Sequence, residues 1–189
     1  MNSSLPSRKR TRLKNYNYGN QGTYFLTICT KDRKNILSSI TTKLVGDGDH
    51  DVPKTSCEYE KEVIPTVSLT SVGQIVEKYI LSIDKNPGVF VDKYVIMPNH
   101  IHIILVIRNI SHLENADKSG TSRLPSPTNQ ALPHVISTFK RFCNREIGEN
   151  IFQRSYYDHI IRDEKDYETR VNYIYQNPMR WYYDELYTP

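Results

Sequence analysis

No stretch of this sequence stays apolar for long. The longest apolar run, Ile101 to Ile107, is strand-length and far short of the roughly 18 residues a membrane-spanning helix needs. The start lacks the apolar core of a secretory signal, because Met1-Asn-Ser-Ser-Leu-Pro runs straight into charge; neither a span nor a leader is expected. Cysteine is scarce too. Cys29, Cys57 and Cys143 are odd in number, far apart and without any Cys-x-x-Cys pair. That argues against a disulfide framework and a zinc ribbon, and for reduced thiols in a cytosol. Neither sign of charge dominates: 25 Lys and Arg against 21 Asp and Glu leave +4. Such a mildly basic balance suits a nucleic-acid partner without demanding one. There is no internal repeat, and 189 residues are enough for one domain with its own core. What the chain does have is tyrosine, 14 in all, crowded toward the C-terminal third, where eight of them stand.

Residues 1–15 carry Arg8, Lys9, Arg10, Arg12 and Lys14 and form a basic arm; residues 16–189 are read as one domain. Tyr24-Phe-Leu-Thr-Ile-Cys-Thr30 is a β-branched and aromatic strand. Residues 41–62, with Gly-Asp-Gly-Asp-His-Asp, read as a surface insertion. From Thr70 to Ile83 the apolar positions Val72, Ile75, Val76, Tyr79 and Ile80 recur at helical spacing, with Thr70 or Ser71 as cap. Val89–Met97 and Ile101–Ile107 are strands split by Pro98-Asn99, either as a tight hairpin or as a sharply bent run. Residues 108–130 are polar and read as a loop. Leu132–Ile147 is a helix with Val135, Ile136, Phe139, Phe142 and Cys143 on one side and Lys140, Arg141 and Arg145 on the other. Ser155–Ile161 is a strand. Asp163–Asn177 is a helix capped by Asp163, with Asp166 three residues on, and Pro178 ends it. This order predicts an α+β, two-layer sandwich: an antiparallel sheet with helices on one face, close to the ferredoxin-like or RRM-like topology.

Chemistry concentrates in two places. In Pro98-Asn-His-Ile-His102 the alternation of a strand points His100 and His102 the same way. Two adjacent imidazoles are half of a metal site, which needs at least one further ligand. The second place is Val171-Asn-Tyr-Ile-Tyr-Gln-Asn-Pro178. At about 100° per residue, Tyr167, Val171, Ile174, Tyr175 and Pro178 share a stripe read as core, while Tyr173 lies off it. Asn177 is one turn beyond Tyr173 on the same face, and Arg170 is nearby. Tyr175 is thus expected to be structural and Tyr173 free to react. A phenol of pKa about 10 is a poor nucleophile, and a cation on a scissile phosphate compensates. A histidine pair, a free tyrosine and an asparagine oxygen form a coherent set for phosphodiester cleavage through a phosphotyrosine. Mg²⁺ or Mn²⁺ suits such a mixed nitrogen and oxygen ligand set.

These residues resemble the HUH endonucleases, whose His-hydrophobe-His pattern stands here as His100-Ile-His102. With Tyr-Ile-Tyr-Gln-Asn-Pro far downstream, the chain looks like the single-tyrosine transposases, above all the REP-associated tyrosine transposases. Tyr24-Phe-Leu-Thr-Ile-Cys-Thr with its basic lead-in, Phe152-Gln-Arg-Ser-Tyr-Tyr-Asp-His-Ile-Ile-Arg162 and Glu164-Lys-Asp-Tyr167 resemble that branch as well. The resemblance implies a ferredoxin-like sheet with the histidines on a central strand, and a single-stranded, often hairpin-containing DNA substrate. It implies attack by the tyrosine, a 5′-phosphotyrosyl enzyme, a free 3′-OH and later rejoining, for DNA transposition or the processing of hairpin-containing repeats. Carried onto this chain, Tyr173 is the nucleophile, His100 and His102 are metal ligands, and Asn177 stands where the third ligand comes from. His159 and His112 have no place in that motif. Cytoplasmic, nucleoid-associated work as a monomer or homodimer is expected, with no membrane partner.

Two departures are visible: the segments at 41–62 and 108–130 are large for a compact member, and the residues after Trp181-Tyr-Tyr-Asp184 leave little tail to cover a site. Softer expectations are phosphate contacts from Arg8, Arg10, Arg12, Lys140, Arg141 and Arg145. Tyr156 and Tyr157 alternate on a strand, so one can stack on an unpaired base while the other packs inside. The competing reading is a catalytically inactive nucleic-acid-binding domain of the same fold. A replication initiator or relaxase would need a larger chain.

Overall fold

The apolar run Tyr24-Phe-Leu-Thr-Ile is buried on both sides because its strand lies inside a sheet. In the computed structural model, which describes residues 21–44, 63–108 and 131–187, β1 (Gly22–Cys29) pairs antiparallel with β5 (His100–Ile107) on one side and β6 (Tyr157–Ile161) on the other. β4 (Val89–Ile96) completes the order β4-β5-β1-β6. The two central strands are rich in apolar residues, as burial on both faces requires, with Thr23, Thr27, His100 and His102 as their polar members. Met97 N–H donates to the His100 carbonyl at 2.9 Å, so Pro98-Asn99 is the corner of a tight hairpin rather than a bend in one run.

Period-two alternation gives each face its own partner. Tyr24, Leu26, Ile28, Ile101, Ile103 and Leu105 meet α1 (Ser71–Leu81) and α2 (Ala131–Ile147) through Val76, Ile80, Leu132, Ile136 and Phe139. Reading β1-α1-β4-β5-α2-β6, this is the ferredoxin-like α+β sandwich, an antiparallel sheet with the α1–α2 pair packed on one face. α3 (Glu164–Gln176) follows β6 and lies against the other face. There Ile174, Val171 and Tyr167 pack on Phe25, Ile104, Val95 and Ile161. Among the described residues no helix is long and apolar enough to cross a membrane.

One pair of strands was not legible. β2 (Ser38–Leu44) and β3 (Val63–Leu69) form a separate antiparallel ribbon from Ser38↔Leu69 to Leu44↔Val63. The insertion expected at 41–62 therefore begins as strand; residues 45–62 lie outside the described residues, as do the arm at 1–15 with Arg8, Arg10 and Arg12, and 109–130. Pro65 discounts β3 on sequence, yet both strands of a two-stranded ribbon are edges, where a missing N–H is tolerated.

The ribbon meets the sandwich at the start of α1. Thr70 Oγ1 accepts the Gly73 N–H at 3.0 Å, and Thr70 N–H donates to the Leu37 carbonyl at 3.0 Å. A Cβ on Gly73 would overlap that same Leu37 oxygen, which is backbone and cannot swing away. Helix propensity alone favours alanine by about 1 kcal/mol, whereas overpacking costs about 1–3 kcal/mol. Gly73→Ala is expected to destabilise by up to about 2 kcal/mol, read as a lower urea midpoint at unchanged m-value. A higher midpoint would show that the helix start has room to move.

Candidate active site

His100 and His102 open β5 directly after the hairpin corner, both facing α3 and both buried. Asn99 sets the first of them. Its Nδ2 donates to the Leu186 carbonyl at 2.7 Å and to the Arg33 carbonyl at 3.4 Å, which turns its Oδ1 toward His100 Nδ1, 2.8 Å away. An amide oxygen only accepts, so His100 Nδ1 carries the hydrogen and Nε2 keeps its lone pair. His102 Nδ1 lies 3.0 Å from Oγ1 of Thr27, its cross-strand partner. The rings sit 4.6 Å apart. Both Nε2 atoms are buried without a hydrogen-bond partner among the described residues. Burial pushes His100 down to about 4, against partial support from the Asp184 charge and the Asn177 amide. Burial, then the neighbouring His100, holds His102 well below its usual value.

α3 brings the tyrosine. Asp163 caps it by accepting the Asp166 N–H at 2.8 Å. The Tyr173 ring stands edge-on to His102 at 5.0 Å and to Phe25 at 5.9 Å. Tyr175, expected in the core, is 64% exposed, against 39% for Tyr173. The buried stripe is centred on Ile174, and a step of about 100° carries Tyr175 off it on the side away from Tyr173. Tyr173 is therefore singled out by lying against the histidines. Burial and the Asp184 charge raise its pKa, and the Asn177 amide opposes them.

Asp184 is the residue the sequence reading missed. Its Oδ2 accepts from Asn177 Nδ2 at 3.2 Å and faces the Tyr173 hydroxyl at 3.4 Å, while Oδ1 accepts the Leu186 N–H at 2.7 Å. Ligand atoms of His100, His102 and Asp184 all lie within 4.8 Å of one another. The expectation that little tail would cover the site is corrected as well. Trp181 is buried, with its ring 5.9 Å from that of His100, and Arg33 Nη1 holds the Glu185 carbonyl at 3.2 Å. A short turn thus lays residues 181–187 across the histidines. No spacing rule links an aspartate after Trp-Tyr-Tyr to a histidine pair more than 80 residues earlier, so only the fold discloses it.

The centre is made of acceptors. With its Nδ2 given to Asp184, Asn177 leaves a buried Oδ1 without a partner among the described residues. Two neutral imidazole nitrogens, an amide oxygen and a carboxylate fit a divalent cation on the chemistry of the donor set. Around them runs a positioning chain. His159 Nε2 meets Asp166 Oδ2 at 2.7 Å, Arg170 Nε donates to Asp166 Oδ1 at 3.2 Å, the Arg170 guanidinium lies over Phe25 at 5.5 Å, and Phe25 stacks on His102 at 5.2 Å.

Of the basic residues expected on the polar face of α2, Lys140 is half-buried and lines an open cavity with Arg141 and Arg145. Its amine donates to the Gln153 and Ser155 carbonyls at 2.8 and 3.1 Å, and burial lowers it to about 8. Arg141 and Arg145 are exposed and line, with Arg154 and Asn150, that same cavity of about 600 Å³.

No family model matches the chain. A Haemophilus influenzae protein named only as uncharacterized is 32% identical over 196 residues, 98% of this chain and 96% of its own length. A REP-associated tyrosine transposase of Escherichia coli is 28% identical over 112 residues, 59% of this chain and 58% of that protein. A second Haemophilus influenzae protein given that family name is 30% identical over 93 residues, 48% of this chain and 50% of that protein. The matches thus span about half of these two transposases. A solved structure of a REP-associated tyrosine transposase bound to a REP hairpin superposes with a TM-score of 0.54 at 20% identity, covering 89% of this chain and 73% of that one. At that identity the likeness is one of fold.

The neutral imidazoles have a consequence for pH. Unfolded, His100 takes up a proton near pH 6.5; folded, only near pH 4. Between those values the unfolded chain binds more protons, so stability rises with pH: it is complete above 6.5 and falls as pH drops toward 4. In metal-free buffer the urea midpoint is expected to decline through that window, and His100→Gln is expected to flatten the decline. An unchanged slope in the variant would mean that His100 is already protonated in the folded chain.

Proposed function

We propose that this chain, which belongs to the REP-associated tyrosine transposase family, is a metal-dependent endonuclease and strand transferase for single-stranded, hairpin-containing DNA. The observation that carries this reading is the meeting of Tyr173 with the histidine pair, from elements more than 70 residues apart in the chain. In this reading His100, His102 and Asn177 are the ligands of a Mg²⁺ or Mn²⁺ ion, and Asp184 joins them. A bound divalent ion would withdraw charge from the phosphoryl oxygens and favour in-line attack, which matters for a phenol whose pKa is raised.

The chain's own groups do the rest. Asp184 Oδ2 and the edge of His102 fix the Tyr173 hydroxyl on the open side of the histidines. Tyr173 Oη bonds to the scissile phosphorus as the bond from phosphorus to the 3′-oxygen breaks. The phenolic proton leaves to solvent, to which the half-exposed tyrosine is open, and the departing 3′-oxygen takes one up. The products are a 5′-phosphotyrosyl enzyme and a free 3′-OH. Because one phosphodiester replaces another, attack by a 3′-OH reverses the step without a high-energy cofactor. Exposed Arg141 and Arg145, with Arg8, Arg10 and Arg12 of the arm, are proposed as phosphate contacts that position the strand.

Incubated with labelled hairpin oligonucleotides from the DNA flanking its gene, the protein is expected to give a covalent band on a denaturing gel. That band should depend on Mn²⁺ or Mg²⁺, vanish with EDTA, vanish in Tyr173→Phe and survive in Tyr175→Phe. Survival in Tyr173→Phe would remove Tyr173 as the nucleophile. Gel-shift binding with no covalent band from any strand would favour a binding domain over an enzyme.

A further inference from the structure

We infer that Tyr157 is the platform on which an unpaired base beside the scissile phosphate stacks; this rests on the nuclease reading above. The argument is one of register. Thr27 pairs with His102 on one side and with Tyr157 on the other, so Val95, His102, Thr27 and Tyr157 form a single row across the sheet. Residues directly opposite share a face, and two strand spacings place Tyr157 about 10 Å from His102 on the histidine face. Thr27, which separates them, is small, and its hydroxyl is turned to His102.

The rest of β6 shows what is unusual about this position. His159 and Ile161, the next two residues on that face, are covered by α3: His159 binds Asp166, and Ile161 packs with Val171 and Ile174. Tyr157 is 50% exposed on the edge strand. Its neighbour Tyr156 faces the other way, packs on the main core and carries Lys140 over its ring at 5.6 Å. The pair thus splits into one structural and one open aromatic. Arg154, three residues before, lines the basic cavity with Arg141 and Arg145. That cavity, which Tyr156 also lines, lies on the α2 side of β6, so a strand crossing this sheet edge to the tyrosine site would meet cations for its phosphates and then, on the histidine face, a ring for a base. Aromatic rings on an open sheet face bind unpaired bases with little sequence preference.

The test places single abasic sites, one position at a time, along a hairpin oligonucleotide that the wild type cleaves. Binding is read by fluorescence anisotropy in the Tyr173→Phe background, where no covalent trapping occurs. Tyr157→Ala is expected to weaken binding roughly five- to 150-fold, the worth of one stacked base; Tyr157→Phe and Tyr157→Trp are expected to retain it. One abasic position should cost the Tyr157-intact protein the same factor and cost Tyr157→Ala nothing further. If Tyr157→Ala binds like its parent, or if every abasic strand loses equally in both, Tyr157 is not a platform, although the covalent band of the wild type would leave the nuclease reading standing. If the wild type neither binds nor forms a covalent band with any strand, both fall.

Discussion

Two buried imidazole nitrogens without a hydrogen-bond partner among the described residues are the constraint around which the rest of the site is arranged. An unsatisfied buried polar atom costs about 1–3 kcal/mol, so a sequence does not keep two side by side unless something else pins them. Here the pinning is done from behind. Asn99 is locked by two carbonyls and offers His100 an acceptor, and Thr27 meets His102 across the ladder. Each ring is oriented through its Nδ1, which leaves Nε2 aimed into the same small volume as the Asn177 oxygen and the Asp184 carboxylate. Such an arrangement makes sense for a ligand that supplies positive charge and is poor as packing.

The tyrosine helix is held in a different manner from the rest of the fold. α3 buries Ile174 and little else completely. Val171 and Tyr167 add partly buried apolar contacts, and the other anchors are polar: Tyr167 donates to Asp92 on β4 at 2.7 Å, Asp166 binds His159 and Arg170, and Arg170 covers Phe25. Phe25 in turn stacks on His102 and touches Tyr173. The position of the phenol is therefore set by contacts with β1, β4 and β6 together. By contrast, the α1–α2 face carries the large apolar core that stabilises the domain. Stability and chemistry have been assigned to opposite faces of one sheet.

Much of this could be read from the sequence because it is local. Period two placed His100 and His102 on one face, helical spacing gave α1 and α2 their apolar sides, and Thr70 and Asp163 cap as expected. Helical arithmetic also placed Asn177 one turn from Tyr173. It failed on Tyr175, because the stripe was drawn wide enough to include a residue about 100° from its centre. The carbonyls that hold Lys140 come from a segment whose approach no periodicity shows. Asp184 and the turn that covers the histidines depend on the chain folding back over a distant hairpin. β2 and β3 were hidden by Pro65 and by the lack of an apolar run.

The link between fold and site comes down to register on β5. Its odd residues Ile101, Ile103, Leu105 and Ile107 enter the main core, while His100 and His102 take the other face. A slip of one residue would exchange the two sets, burying imidazoles among aliphatic side chains and turning isoleucines toward Tyr173. That exchange is opposed at two points. The Met97–His100 hydrogen bond closes the hairpin tightly enough to fix which residue follows the corner, and the irregularity between Val91 and Lys93 lets β4 keep pairing beyond it. Asn99 then does two things from one position, since the residue that turns the chain also fixes the proton on His100. The hairpin corner is therefore as much a part of the site as the histidines, because without its geometry neither their face nor their tautomer would be defined.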